Sequence, residues 1–255
     1  MRKQIILLIA AVYALSTAAQ VPDKARVLIA AYPSCIKEYK DGYLVMQSGK
    51  KILFDDKKEK DFETVLDQAD PEDMLRIPYD TKKDKPDYLE DAGRIRCDEF
   101  LREVYGGTQE AVRANLVTVN FCGQKVQFTK VNGASKALQA VSEELQKLPN
   151  YASLKKYLGS GGTFVYRKVR GANRLSAHSF GIAIDIGYDK ANKKNLSTYW
   201  KWDNGKAGEL TKIGFRNSIP MDIVRVFEKH GFVWGGRWYH YDTMHFEYRP
   251  EYFAL

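Results

Sequence analysis

Along residues 181–186, Gly-Ile-Ala-Ile-Asp-Ile, isoleucine alternates with small or acidic residues, which is the two-residue period of a β-strand. The pattern predicts Ile182, Ile184 and Ile186 on a core face and Ala183 and Asp185 on a cleft face. A second alternating run, His245-Phe246-Glu247-Tyr248, places His245 and Glu247 on one face of a strand and Phe246 and Tyr248 on the other. Helical spacing governs residues 134–148, where Leu138, Val141, Leu145 and Leu148 make an apolar stripe that stops at Pro149. It returns over residues 220–230 through Ile223, Val224 and Phe227, with His230 in the last turn and Gly231 as the cap. Residues 92–105 read as a third helix with Ile95, Phe100, Leu101 and Val104 as its stripe.

Turn signals fill in the rest. Residues 43–47 and 51–54 flank Ser48-Gly49-Lys50 as a hairpin, and residues 116–121 turn at Gly123 and resume at Val126 and Phe128. Residues 159–162 read as a turn leading into a strand that bears Arg167. The sum predicts an α+β fold, a small antiparallel sheet with flanking helices over residues 131–255. An α+β accessory region over residues 20–130 precedes it, showing no chemical constellation of its own and expected to pack against or flank the catalytic unit. The aromatic residues of 199–202 and 234–252 read mainly as packing around the small sheet, with a groove for a sugar-peptide as the functional alternative.

The N-terminus changes the compartment. Arg2-Lys3, an apolar run over residues 5–15 and the small residues Ser16-Thr17-Ala18-Ala19 form the three parts of a secretory signal peptide, 1–19. Cleavage near Ala19 implies a periplasmic or secreted protein with no stable membrane span. The formal charge of +8 includes Arg2 and Lys3 and no acid from that segment, so the mature chain carries about +6. A dispersed basic excess outside a bacterial membrane suits anionic cell-wall polymers better than nucleic acid. Cys35, Cys97 and Cys122 lack a C-x-x-C spacing, which leaves a Cys97–Cys122 bridge and buried thiols both open.

Chemistry concentrates in two short segments. His178, Asp185 and His245 offer two imidazoles and a carboxylate, a ligand set that leaves one position of a tetrahedral zinc ion open, as catalytic sites do. Asp242, three residues before His245, is the candidate general base, and Glu247 is placed to orient a ligand histidine through its second ring nitrogen. His240 either lines the cleft and bonds a substrate or packs among Trp238, Tyr239 and Tyr241. Arg170 and Arg174 read as surface charges of a basic loop.

At Ser176-x-His178-x-x-Gly181-x-Ala183-x-Asp185, followed by Asp242-x-x-His245, the chain resembles the VanY-like zinc peptidases. That family holds bacterial D-Ala-D-Ala carboxypeptidases and L-alanyl-D-glutamate endopeptidases. The likeness covers about residues 160–250 and takes in Gly161-Gly162-Thr163-Phe164-Val165-Tyr166-Arg167 and Trp234-Gly235-Gly236-Arg237-Trp238. It implies one zinc ion on His178, Asp185 and His245, Asp242 as catalytic base, and Arg167 as the group that stabilises the oxyanion. Ser176 would orient the substrate or the first ligand loop. The resemblance thus implies an exported metallopeptidase acting on peptidoglycan stem peptides. Asp242 stands where carboxypeptidase members carry Glu, which leans toward the endopeptidases, while the family at large leans toward D-Ala-D-Ala cleavage. The hedgehog signalling domain resembles this fold and holds zinc while acting through protein contacts, so a non-catalytic binding module is the alternative. Retention of both Asp242 and Arg167 favours turnover.

Overall fold

The structure, a computed structural model, describes residues 20–169, 172–189, 194–195 and 215–254. The expected leader, Arg170 and the aromatic run at 199–202 lie outside the described residues. The chain opens with α1 (Asp23–Ala31) and an antiparallel sheet of β1 (Ile36–Lys40), β2 (Tyr43–Met46) and β3 (Lys51–Leu53). Asp41 and Gly42, both at positive φ, close the first hairpin, the backbone that a two-residue turn needs to match strand twist. Then come α2 (Phe62–Asp67), whose first turn is capped by the Asp61 carboxylate accepting from the Thr64 N–H, and α3 (Asp98–Tyr105).

The helix expected over residues 92–105 therefore begins only at Asp98. The reason is tertiary: Arg94 and Arg96 are drawn to the buried carboxylates of Asp91 and Glu247, and Ile95 packs with Val65 and Leu66. After α4 (Gln109–Arg113), the hairpin of β4 (Leu116–Phe121) and β5 (Gln124–Thr129) forms as its alternation predicts. Next follow α5 (Ala134–Lys147), α6 (Tyr151–Leu154), β6 (Ser160–Gly162), β7 (Ala183–Ile186), β8 (Tyr188–Asp189) and β9 (Lys194–Asn195). The chain closes with α7 (Met221–Lys229), β10 (Phe232–Trp234) and β11 (His245–Tyr248). Residues 160–162, expected as a turn, are themselves the strand. The segment around Arg167 is irregular and joins its neighbour through one bridge, Lys168 to Leu175.

A four-stranded antiparallel sheet in the order β10-β11-β7-β6 carries the rest. One face, with Ile184, Ile186, Phe232, Trp234 and Phe246, packs on Leu138, Val141 and Leu145 of α5 and on Ile223, Val224 and Phe227 of α7. Phe227 and Phe246 stack with ring centroids 4.1 Å apart, and truncating a core phenylalanine costs about 3–5 kcal/mol. Ala183, together with Phe180 and Ile182, joins a second core built from α1, β1–β3 and α3, including Leu28, Tyr32, Phe100 and Leu101. Ile182 was expected beside Ile184, but the strand starts at Ala183, after the left-handed Gly181, so Ile182 has not yet entered the pleat. Sequence on both sides of residues 130–131 contributes to each core. All three cysteines are free thiols. No helix among the described residues is long and apolar enough to cross a membrane.

Candidate metal centre

Register brings the centre together. In the β11–β7 pair His245 lies directly opposite Asp185, and Glu247 opposite Ala183. His178 comes from a 3₁₀ turn, Ala177–Phe180, that ends at Gly181 with φ +66°. A Cβ at Gly181 would meet only the movable end of the Leu116 side chain at 2.6 Å, so it is the positive φ that calls for glycine at this reversal. The turn delivers His178 Nε2 to 3.2 Å from Asp185 Oδ1, while His245 Nδ1 stands 3.1 Å from the same oxygen. One ligand atom from each of the three residues lies within 4.8 Å of the others.

The remaining ring nitrogens are held from behind. His178 Nδ1–H donates to the Thr163 carbonyl at 2.7 Å, and His245 Nε2–H donates to Glu247 Oε2 at 3.3 Å. Each imidazole therefore turns its other nitrogen into the centre, where the neutral ring would present the lone pair that a metal needs. Glu247 is fully buried and grips Arg96 through two parallel N–H bonds. Although burial pushes the Glu247 carboxyl up, Arg96 outweighs that and holds it well below the usual carboxylate range. Burial likewise raises Asp185, and the two imidazoles, His178 before His245, overcome it and hold the carboxyl ionised. Against the effect of burial, Asp185 and Glu247 carry His245 up to about 9. One carboxylate and two imidazoles thus converge in a donor set that a cation would bridge.

Asp242 reinforces the fit. Burial first, then the nearby charge of Asp185, pushes its carboxyl up to about 6. Its Oδ1 is buried without a hydrogen-bond partner among the described residues. A buried polar atom left unmet costs about 1–3 kcal/mol, so this oxygen is poised for something the cleft binds. Close backbone packing sets its place: the Asp242 N–H donates to the Gly235 carbonyl at 2.9 Å, and a Cβ on Gly235 would meet the Asp242 carbonyl at 2.5 Å. The donor set of two imidazoles and one carboxylate suits zinc with an open position.

Asp242, His178, Asp185 and His245 all line one cleft of about 410 Å³. Ser176 and Arg167 line it too, Ser176 buried and Arg167 exposed. His240 does not; its Nδ1 is 2.7 Å from Asp91, and its ring stacks on Phe62. Arg174, expected as a surface charge, is 4% exposed, donates to the Leu66 carbonyl and Asp67, and lines the cleft. Its burial follows from packing against a segment more than a hundred residues earlier in the chain, which local sequence does not reveal.

Sequence reasoning also passed over Arg94, Arg96 and Ser179. Arg94 and Arg96 reach the cleft from the region read as accessory. Ser179 accepts from the Arg167 N–H at 2.9 Å and donates to the Arg167 carbonyl at 2.7 Å, riveting the Arg167 segment to the His178 turn. A serine adjacent to a candidate ligand histidine was the only available signal for that clamp.

Residues 170–248 match the profile of a family described as D-alanyl-D-alanine carboxypeptidase. No curated protein and no solved structure gives a match. The matched segment contains His178, Asp185, Asp242 and His245, with Arg167 just ahead of it. The match over this segment supports a likeness to the VanY-like zinc peptidases and a peptidase that acts on peptidoglycan.

Proposed function

We propose that the chain is an exported zinc peptidase that hydrolyses an amide bond of peptidoglycan stem peptides, either D-Ala-D-Ala or L-alanyl-D-glutamate. The observation that carries this reading is the gathering of His178, Asp185 and His245 in one cleft with the unpartnered oxygen of Asp242. Export is supported by the three-part leader pattern over residues 1–19.

A zinc ion held by His178, Asp185 and His245 would supply Lewis acidity to the scissile carbonyl and acidify a water molecule. Asp242, raised toward neutrality, takes a proton from the attacking water as its oxygen bonds to the carbonyl carbon. It returns that proton to the amide nitrogen as the C–N bond breaks, leaving a carboxylic acid and an amine. Arg167 faces the negative charge that gathers on the carbonyl oxygen, a role in which a fixed guanidinium acts mainly on the transition state. Ser176 orients the substrate against the ligand turn, while Thr163 and Glu247 keep the two imidazoles in register.

The test is mass spectrometry of defined muropeptides incubated with the zinc-loaded protein. Release of D-alanine identifies the carboxypeptidase, and scission between L-alanine and D-glutamate identifies the endopeptidase. Either activity must vanish on chelation and return with zinc. Unchanged muropeptides in the presence of folded, fully loaded protein would overturn the peptidase reading in favour of a zinc-holding binding module.

A further inference from the structure

The cleft holds more positive charge than the proposed hydrolysis uses. Arg94, Arg96 and Arg174 line it and are 6%, 6% and 4% exposed. Guanidinium groups so deeply buried need carboxylates, and two of them have buried ones. Arg94 donates to Asp91, and Arg96 is doubly bound to Glu247. Arg174 is less well met. Its Nη1 reaches the Leu66 carbonyl and Asp67, whose side chain is 38% exposed, while its Nε is buried with no hydrogen-bond partner among the described residues. Burial first, then repulsion from Arg96 and Arg94, brings the Arg174 guanidinium down to about 10. The carboxylates that line the cleft among the described residues are Asp185 and Asp242. Both already have roles at the metal centre.

The two candidate bonds share one chemical feature. In each, the residue on the nitrogen side of the scissile amide carries a free carboxylate on its α-carbon: the terminal D-alanine does, and so does a D-glutamate that continues the chain through its γ-carboxyl. We infer that Arg94, Arg96 and Arg174 form an anion subsite for that α-carboxylate, with Arg174 as the principal contact. The inference rests on the peptidase reading for the identity of the ligand, while the crowding of buried guanidiniums and the unmet Arg174 Nε stand independently. A planar fork of N–H donors pairs with carboxylate in two parallel bonds, which fixes the orientation of the bound group as well as its charge. Such a contact would select both candidate bonds and reject amides that lack the neighbouring acid.

Binding to the zinc-loaded protein, followed by calorimetry or by shifts of protein NMR signals, tests this without any turnover. The probes are N-acetyl-D-alanine against N-acetyl-D-alaninamide, and N-acetyl-D-glutamine against N-acetyl-D-isoglutamine, which moves the acid from the α- to the γ-position. The parent should prefer the α-acid of at least one pair by about tenfold or more, as a charge-assisted double contact allows. The preferred pair then tells a C-terminal alanine from a γ-linked glutamate. Arg174→Gln should bring that ratio to within about twofold, and Arg174→Lys should restore part of it, because lysine keeps the charge and loses the fork. Equal affinity for acid and amide in the parent would overturn the subsite, and so would a full preference retained by folded Arg174→Gln. Should Arg174→Gln fail to fold, the parent's ratio and Arg174→Lys decide. A clear preference for the α-acid in a protein that leaves muropeptides uncut would sustain the subsite and remove the peptidase.

Discussion

His245 and Asp185 sit opposite each other across the β11–β7 pair, with His245 Nδ1 3.1 Å from Asp185 Oδ1. The register of two short strands thus fixes two of the three candidate ligands, and the Gly181 reversal supplies the third. We expect about one zinc per chain, lost in His178→Ala and in His245→Ala, because three protein ligands with an open position hold zinc only as a set. Elemental analysis of the purified variants checks this. Full retention of zinc in both would disprove the ligand assignment.

Asp242→Asn should keep the metal and the fold and lose about a hundredfold or more in turnover, the usual contribution of a general base. The substituted amide cannot accept the water proton. Steady-state rates with zinc content measured alongside make the comparison, and parent-like cleavage by the variant would strip Asp242 of its role.

Glu247 joins two buried functions, orienting His245 and neutralising Arg96. Glu247→Gln should weaken zinc binding about 10–100-fold, the usual effect of losing the group behind a ligand histidine. It should also destabilise the protein by about 3–5 kcal/mol, since Arg96 would be left buried beside a neutral amide. Competition with a chelator reads the first effect and thermal unfolding the second.

Arg167→Ala should lower turnover by about 3 kcal/mol, with a smaller change in substrate affinity, by comparison with other oxyanion donors. Arg167→Lys should recover only part of the loss. If kcat is untouched and only KM moves, the side chain binds substrate without stabilising the transition state.

At Gly235 a methyl group has no room against the Asp242 carbonyl. Gly235→Ala should therefore displace Asp242 and reduce kcat while zinc stays bound. A fully active variant would show that the loop relaxes without moving the carboxylate.

The centre was legible because its geometry is local. Alternation in residues 183–186 and 245–248 fixes which side chains share a face, and pairing those strands is enough to bring Asp185 to His245. The arginines were not legible, since a charged residue reads as solvated until its partner is known. Arg96 finds Glu247 across 151 residues of sequence, and Arg174 finds Asp67 across 107. The same contacts defeated the helix expected to start at residue 92, because ion pairing of Arg94 and Arg96 outweighs the apolar spacing that suggested it. Ile182 was misplaced for a smaller reason, the glycine reversal that delays the start of the strand by one residue.

The second core has a practical consequence for anyone who would trim this chain to the half that holds the candidate centre. Phe180, Ile182 and Ala183, which brace the ligand turn and the root of its strand, are roofed by α1, β1–β3 and α3. A fragment starting at residue 131 would bare that underside to water, discard Arg94 and Arg96, and leave Glu247 with only the longer 3.5 Å contact to Arg249 behind His245. Neither half is a spare part: the leading segment is the other jaw of the same vice.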